Sequence, residues 1–429
     1  MLNADIARQR LHKQLIAQHT FDKPGDVVQW LGAVQAQDYA AAKWAIGLRL
    51  PDAIDDDIEQ ACNDGTILRT HIMRPTWHFV TPADIRWLLA LTAPRVHAAT
   101  ASMYRKFELD DATFLCAHAA LIKALQGGKQ LTRQELALAL QQAGIATDNP
   151  LRVSLILMHA ELDGVICSGA RHDRQFTYAL LAERAPHART SSRDEALAEL
   201  ARRYFTGHGP ATLQDFVWWS GLTTTDAKAG LEMVKAQLIR EAIDGLTYWF
   251  SASMPSTEEP SQTTYLLPNY DEYIVGYKNR DAVFDASHTQ KLDARGNVLF
   301  NHTIVMNGRI VGTWKRTIKK DTVIITPDFF TPLDEAEIQA FTASTNNYAA
   351  FLALSEPAVQ DFCEKTIGGS LLKDCFLVQL PNLQSKRANK RESRQSKEMQ
   401  METFYTDLDI LPNSALYLAT TPIYTTNDR

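Results

Sequence analysis

The sequence predicts an α+β protein, and three observations lead to this class. Helical periodicity dominates the first 250 residues or so, but pairs of short β-forming runs interrupt it three times. The order of helix, tight turn, helix and two-stranded hairpin therefore recurs, which is the order of a winged helix-turn-helix unit. From Thr264 onward, strand patterns become frequent. We therefore expect three tandem winged helix-turn-helix units that form a concave surface, followed by a C-terminal strand-rich α/β region.

The composition indicates a globular protein from a reducing compartment. The chain has 429 residues, of which 45% are hydrophobic, and this is enough for several cores. No apolar run approaches the roughly 20 residues of a membrane span, and the polar N-terminus does not resemble a signal peptide. The five cysteines are far apart and show no CxxC spacing. We therefore expect a cytoplasmic protein without disulfides, zinc site or membrane contact.

The first unit is predicted over residues 1–125. Thr66 to Met73 and Thr76 to Val80 are rich in β-formers and flank Arg74-Pro75, which indicates a hairpin. The predicted helices are 4–18, 27–34 with Asp26 as its cap, 40–48, 56–63 and 83–92.

The second and third units, predicted over residues 126–190 and 191–255, carry clearer local signals. Thr132 and Glu135 form a capping-box pattern at the start of a helix over 131–143. A helix over 150–161 and a hairpin between 164 and 179 follow it. In the third unit, helices are expected over 195–205, 212–219 and 224–235. Asp244-Gly245 then predicts a tight hairpin turn.

Residues 253–263 resemble a linker, and the strand-rich region is predicted over residues 264–365. Asn307-Gly308 indicates a hairpin turn within it, and helices are expected over 334–344 and 348–354. The amino-acid composition changes again beyond about residue 366. Residues 384–397 are a basic run with a single apolar residue, so we expect the tail over 366–429 to be disordered.

Two glutamines separated by one residue stand between two predicted helices. Residues at i and i+2 point to the same side only on an extended segment. If Gln35 and Gln37 act together, residues 34–38 should therefore be extended or a turn, with Val34 and Ala36 as buried anchors. The alternative is a pair of ordinary surface amides at the end of a helix.

Charge is unevenly distributed along the chain. The net charge is −6, which does not indicate a nucleic-acid-binding protein by itself. Residues 69–106, however, contain six Lys or Arg residues and one acid. Such segregation favours one basic face, whereas a solvated surface of mixed sign is the alternative.

Several motifs together resemble the AlkZ-like winged-helix DNA glycosylases, which excise alkylated bases and unhook interstrand crosslinks. The likeness covers about residues 5–360. The motifs are Gln35-Ala36-Gln37, the string from Arg69 to His78, Leu162-Asp163-Gly164, the segment from Gly209 to Leu222 with its two tryptophans, and the segment from Leu267 to Arg280. One branch of the family carries Asp at the second glutamine position, so Gln37 places this chain nearer the crosslink-unhooking type. Pro75 stands where a small residue such as Gly is expected, and the tail has no counterpart.

The resemblance implies that Gln35 and Gln37 are the catalytic pair of a monofunctional DNA glycosylase without metal or cofactor. A glutamine is no useful base, but it can accept a hydrogen bond from water and donate others. Such a pair suffices only if the leaving base is already cationic, as in N7-alkylguanine or N3-alkyladenine. Asp38 is interpreted as a helix cap.

The partner implied is double-stranded DNA with alkylated or crosslinked bases, bound by a monomer associated with the nucleoid. The candidate DNA contacts are Lys43, Arg49, Arg69, His71, Arg74, His78, Arg171 and Arg174. For His78 a satisfied core histidine is an equal alternative, and Asp271 with Arg280 is expected to be a structural pair. The competing function is a non-enzymatic winged-helix DNA-binding protein or transcriptional regulator. Three tandem units in one chain argue against it, because regulators usually dimerise over two half-sites.

Overall fold

A computed structural model describes residues 3–172, 175–252, 263–292, 296–319, 322–354 and 356–359. It has the mixed helix and strand content of the α+β class, as predicted. The helices are α1 Asn3–Lys13, α2 Pro24–Leu31, α3 Tyr39–Gly47, α4 Asp55–Asp64, α5 Ile85–Lys106, α6 Asp111–Leu125, α7 Arg133–Gln142, α8 Pro150–Leu162, α9 Leu181–Arg184, α10 Arg193–Gly207, α11 Leu213–Ser220, α12 Thr224–Val234, α13 Glu272–Val275 and α14 Glu335–Phe351. The strands are β1 Val34–Gln35, β2 Leu68–Ile72, β3 Arg74–Val80, β4 Leu131–Thr132, β5 Ile166–Ser168, β6 Thr177–Leu180, β7 Ile239–Ile243, β8 Leu246–Phe250, β9 Thr264–Leu267, β10 Thr303–Met306, β11 Arg309–Lys319, β12 Thr322–Phe329 and β13 Glu356–Val359.

One order of elements recurs three times along the first 250 residues. A helix, a short strand, two helices and a hairpin follow one another in α2-β1-α3-α4-β2-β3 and again in α6-β4-α7-α8-β5-β6. In both, the short strand pairs with the last strand of the hairpin, giving the sheet orders β1-β3-β2 and β4-β6-β5. In the third repeat, α10, α11 and α12 precede β7 and β8, and Ala211 bridges to Trp249 in the position of the short strand.

Local turn and cap chemistry explains where several elements begin and end. Thr132 and Glu135 form the predicted capping box of α7, and Thr212 and Asp215 form another at α11. The β7–β8 hairpin turns at Asp244-Gly245, where both residues have positive φ. These sequence-based predictions are confirmed, as is the Asn307-Gly308 turn between β10 and β11.

Other boundaries were predicted wrongly. Asp26 lies inside α2, because Lys23 is the N-cap and Pro24 takes the first helical turn, which needs no N–H donor. Helix α5 continues through Pro94 to Lys106 instead of ending at 92, and α6 was not predicted. The two helices expected over 334–354 are a single helix, α14. Residues 253–262 of the predicted linker and the basic tail lie outside the described residues.

The strand-rich region packs against the first repeat. Its sheet has the order β13-β12-β11-β10-β9, and Leu266, Ile304 and Trp314 share a core with Val34 and Phe79. The indole of Trp44 in α3 also donates to the carbonyl of Leu266 at 2.7 Å. The glutamine segment therefore lies between the first repeat and the start of the C-terminal sheet. In the described part of the chain, no helix is long and apolar enough to cross a membrane.

Candidate active site

The segment that contains the two glutamines is extended, as predicted. Val34 pairs with Phe79 and Gln35 with His78 in the β1–β3 ladder. The ladder continues beyond β1, because the N–H of Ala36 donates to the carbonyl of Trp77 at 2.7 Å. Val34 and Ala36 are both buried, so they anchor the segment as expected.

Gln35 is held inside a buried polar network. Its Oε1 accepts a hydrogen bond from the Arg74 guanidinium at 3.1 Å, and only 7% of the residue is exposed. The same guanidinium reaches the Trp219 carbonyl at 3.1 Å and lies 3.3 Å from His78 Nε2. Burial lowers the pKa of Arg74, while the negative charge of Glu272 opposes that shift. The network fixes the Gln35 amide with little freedom to turn.

Glu272 is the centre of this network, and it was not recognised from the sequence. One carboxylate oxygen accepts from the Gln35 backbone N–H at 2.8 Å, and the other accepts from the Trp219 indole at 2.8 Å and lies 3.3 Å from His208 Nε2. Burial raises the pKa of this carboxyl, but the hydrogen bond and charge of His208 outweigh burial, and the net shift is downward from 4.5. A buried carboxylate with several donors remains ionised and orients the groups around it.

Gln37, two residues further on, is placed differently. It is half-buried and lines a cavity of about 150 Å³, well above the space that one water molecule needs. Its Oε1 lies 3.4 Å from the Trp77 N–H, a long contact that leaves the amide adaptable. Gln35 is not among the cavity-lining residues. The two amides thus have one strand in common but separate surroundings.

An ionisable pair completes the polar part of the cavity wall. His71 Nδ1 contacts Glu161 Oε2 at short hydrogen-bond distance, and both residues line the cavity together with Trp77 and Tyr178. Glu161 comes from α8 of the second repeat, 90 positions away in the sequence. His71 was predicted as a DNA contact, whereas Glu161 was missed because no local pattern distinguishes it from other helical acids.

The N-terminus of α8 forms the remaining wall. Asn149 caps this helix by accepting from the N–H groups of Leu151 and Arg152. Asn149, Pro150 and Ser154 line the cavity, and the Arg133 guanidinium donates to Ser154 Oγ at 2.6 Å. The positive end of the helix dipole and one guanidinium therefore lie beside the Gln37 amide.

Comparison with known proteins identifies the family. The model of the AlkZ-like DNA glycosylases matches residues 28–351. The chain belongs to the AlkZ-like DNA glycosylase family. It is therefore grouped with enzymes that hydrolyse N-glycosyl bonds in DNA, and the family predicted from the sequence motifs is confirmed.

Two AlkZ-like relatives extend the comparison. An interstrand DNA cross-link repair glycosylase of Streptomyces sahachiroi is 24% identical over 337 residues, which are 74% of this chain and 88% of that protein. The solved structure of the DNA glycosylase AlkZ from the same organism superposes with a TM-score of 0.70 at 22% identity. That match covers 83% of this chain and 98% of the solved chain, so the two share a fold.

Two of the predicted DNA contacts in this AlkZ-like chain are buried in ion pairs with other residues of the protein. Arg49 is fully buried and forms two hydrogen bonds of 2.8 Å with Asp271, so its charge is already neutralised inside the protein. Asp271 is thus the partner of Arg49 and not of Arg280. Lys43 is only 5% exposed and pairs with Asp55 at 2.6 Å and Glu59 at 2.8 Å.

Arg69 supports the glutamine segment. Its guanidinium donates twice to the carbonyl of Ala36, at 3.0 and 2.9 Å, and stacks over the Trp77 ring at 4.3 Å. The acceptor lies between the two glutamines, so the Arg69 side chain fixes this extended segment. Arg74, predicted as a DNA contact, has the same kind of role at Gln35, because it is buried and donates to the Gln35 amide oxygen.

The remaining predicted contacts are also accounted for. His78 is fully buried, in accord with the alternative of a core histidine, and burial together with the charge of Arg74 lowers its pKa to about 3. Arg171 pairs with Glu59 at 3.3 Å and stacks over Phe176, so it is not displayed at a free wing tip. Arg174 lies outside the described residues. Asp38 caps α3 by accepting from the Ala41 N–H, as predicted.

The first hairpin is likewise not a free wing. Met73 at its tip has φ 63°, and its N–H donates to Thr92 in α5. A Cβ on Gly221 would lie 2.2 Å from the Met73 carbonyl, so only glycine fits the turn between α11 and α12. Pro75 occupies the irregularity in the β2–β3 pairing, where no ladder N–H is needed. Its ring lines the cavity.

Proposed function

We propose that this chain is a monofunctional DNA glycosylase that hydrolyses the N-glycosidic bond of cationic N-alkylated purines in double-stranded DNA, including crosslinked purines. The observation that carries the proposal is the extended Gln35-Ala36-Gln37 segment, which holds Gln37 at a cavity while Gln35 is fixed beneath it. The relative named as an interstrand cross-link repair glycosylase supports the crosslinked substrate.

The chemistry of the cavity wall suits a base that departs without an acid catalyst. The Gln37 amide can accept a hydrogen bond from water and donate one to the sugar or the base. An N7- or N3-alkylated purine already carries a positive charge, so the bond breaks through an oxocarbenium-like state without proton transfer to the base. Oriented dipoles of the amide, together with Glu161, would stabilise that positive charge.

Monofunctional action is proposed from the residue types at the cavity. Among the described residues that line it, none is a lysine, so an amine nucleophile for strand cleavage is not available there. Water is therefore the nucleophile in the proposal. Glu161, held by His71, is the carboxylate among the described lining residues that would act on that water.

The DNA-binding surface is proposed to consist of three winged helix-turn-helix units in one monomer. The order of helix, short strand, two helices and hairpin supports this interpretation, because it occurs twice in full and a third time with the Ala211–Trp249 bridge in place of the short strand. In the second unit, α8 takes the position of the helix that such units place in a DNA groove, and its N-terminus borders the cavity. The groove-facing helix and the catalytic glutamine would therefore meet at one place.

The test is base release from duplex DNA that contains a single N7-alkylguanine. We expect abasic sites to form with the wild type, and Gln37→Ala to lower the rate about 100-fold or more, as loss of an oriented transition-state donor does elsewhere. Glu161→Gln should lower it less, by about tenfold. Exposed Gln142→Ala on α7 is the matched control and should keep full activity.

Binding of the duplex without base release would favour the regulator alternative and contradict the enzyme. If Gln37→Ala instead folds normally and keeps full activity, Gln37 is not a catalytic residue, although the proposal that the chain is a glycosylase still stands.

A further inference from the structure

A cluster of histidines lies between α5, α6 and α8, and none of its members lines the cavity beside Gln37. His97 comes from α5, His118 from α6 and His159 from the last turn of α8, and Asp163 is the residue that caps the C-terminal end of α8. His159 and Asp163 are four positions apart, so they lie on one face of the last helical turn. The three helices thus bring four potential metal ligands to one place.

The donor atoms are spaced as metal ligands are. His97 Nε2 lies 2.9 Å from Asp163 Oδ1, and His159 Nδ1 lies 3.4 Å from Asp163 Oδ2. One donor atom each from His97, His159 and Asp163 falls within 4.8 Å of the others. Ligands of a tetrahedral zinc ion at 2.0–2.1 Å are about 3.4 Å apart, so only small side-chain movements are needed. His118 Nε2 stands beside them, 3.3 Å from His159 Nδ1.

Neighbouring groups orient the ligands. His97 Nδ1 lies 3.2 Å from the Tyr104 hydroxyl, whose oxygen can accept a hydrogen bond from the Nδ1–H and so leave Nε2 free to bind an ion. Phe114 stacks on the His159 ring with centroids 3.5 Å apart, which fixes the plane of that imidazole. A metal-bound histidine usually has a hydrogen-bond partner at its second ring nitrogen, as His97 has in the Tyr104 hydroxyl. The alternative is a hydrogen-bonded cluster around Asp163 that needs no ion.

We propose that His97, His159 and Asp163 form a binding site for a divalent transition-metal ion of the Zn²⁺ type, with a further position open to water. Two imidazoles and one carboxylate are a donor set that Zn²⁺ accepts, whereas Mg²⁺ and Ca²⁺ prefer oxygen ligands only. Asp163 has a side chain that is 38% exposed, so an ion can enter from solvent. With neutral imidazoles, the carboxylate leaves one negative charge to attract the cation.

The site would act as a clamp between helices. It would join α5 to the C-terminal end of α8, the helix whose N-terminus borders the cavity. An ion that binds only the folded protein raises stability in proportion to the logarithm of its concentration over Kd. The sequence-based expectation of no zinc site rested on cysteine spacing, and a site made from histidines on two helices that are distant in the sequence has no such signature.

The experiment uses the untagged full chain after dialysis against a chelator, with Zn²⁺ titrated by calorimetry and Co²⁺ by its visible absorption. We expect one equivalent of each ion to bind and the melting temperature to rise with Zn²⁺. His97→Ala, His159→Ala and Asp163→Asn should each weaken binding at least about tenfold. His187→Ala, an exposed loop histidine, is the matched control and should leave binding unchanged.

Absence of stoichiometric binding to the wild type would overturn the proposal, as would unchanged affinity in all three variants. Asp163→Asn keeps the volume of the side chain, so it decides the matter if a histidine variant fails to fold. Base release in the presence of chelator is a separate readout, because the glycosylase chemistry proposed above uses no ion.

Discussion

The two glutamines are only two positions apart, yet their surroundings differ in kind. Gln35 is inside a buried network in which Arg74 donates to its amide oxygen, while Glu272 accepts from its backbone N–H and from the Trp219 indole. Gln37 has one long contact and lines a cavity beside the His71–Glu161 pair. The difference teaches that two residues of one short extended segment can have separate surroundings. The first glutamine is held in the buried network, and the second lines the cavity.

The largest expected effect comes from removing Glu272, the centre of the network around Gln35. Glu272→Ala leaves the Gln35 N–H and the Trp219 indole without an acceptor in a buried place. Breaking a buried ionic network costs about 3–5 kcal/mol, so we expect a fall of that size in the free energy of unfolding. Urea denaturation measures it.

Glu232→Ala is the control for that experiment, because Glu232 pairs with Lys235 on the surface, where both side chains are about half exposed. Exposed pairs contribute roughly 0–1 kcal/mol. Equal effects of the two substitutions would contradict the view that the Glu272 network is the rigid support of the site.

The two glutamines themselves give the second test. Gln35→Ala leaves a buried Arg74 donor unpaired, which costs about 1–3 kcal/mol. Gln37→Ala removes only a long contact at a cavity, so its effect on stability should stay within about 0.5 kcal/mol. Thermal and urea unfolding of both variants measure the difference. Equal destabilisation would show that the two amides have equivalent structural roles.

Some of this site was predictable from the sequence. The extended or turn conformation of residues 34–38 was predicted on the condition that Gln35 and Gln37 act together, since residues two apart point the same way only on an extended segment. The hairpin turn at Asp244-Gly245 and the cap of α7 follow from chemistry within four residues. Each of these signals depends only on residues that are close in the sequence, so it does not depend on the packing of the rest of the chain.

The rest was not predictable, because the partners are distant in the sequence. Arg49 and Asp271 are 222 positions apart, and Gln35 and Glu272 are 237 apart. No local pattern separates a cation that will be buried with such a partner from one that will meet phosphate. The basic composition of residues 69–106 therefore predicted exposed DNA contacts where Arg74 and His78 are in fact buried.

The titration of His78 gives the third test. Its pKa falls from 6.5 to about 3 on folding, because burial and the charge of Arg74 disfavour the imidazolium. Between these two values the unfolded chain binds a proton that the folded chain does not, so stability is lost as the pH falls below 6.5. The slope from this one group is at most about 1.4 kcal/mol per pH unit. His78→Gln should be less sensitive to acid over that window in melting experiments at stepped pH, and an unchanged slope would contradict the assignment.

The smallest expected effect is on DNA binding, and it distinguishes Arg133, a cation beside the cavity, from Lys43, a cation in the interior. Arg133 borders the cavity at the N-terminus of α7, whereas Lys43 is neutralised by Asp55 and Glu59. If DNA lies along the cavity, Arg133→Ala should weaken duplex binding by about 1 kcal/mol and reduce the dependence of log K on log salt by about one. Lys43→Ala should leave that salt dependence unchanged, even if it lowers stability. Fluorescence anisotropy at several salt concentrations measures both. A reduced salt dependence in Lys43→Ala would show that its ion pairs open on binding and that this buried lysine does reach the phosphate backbone.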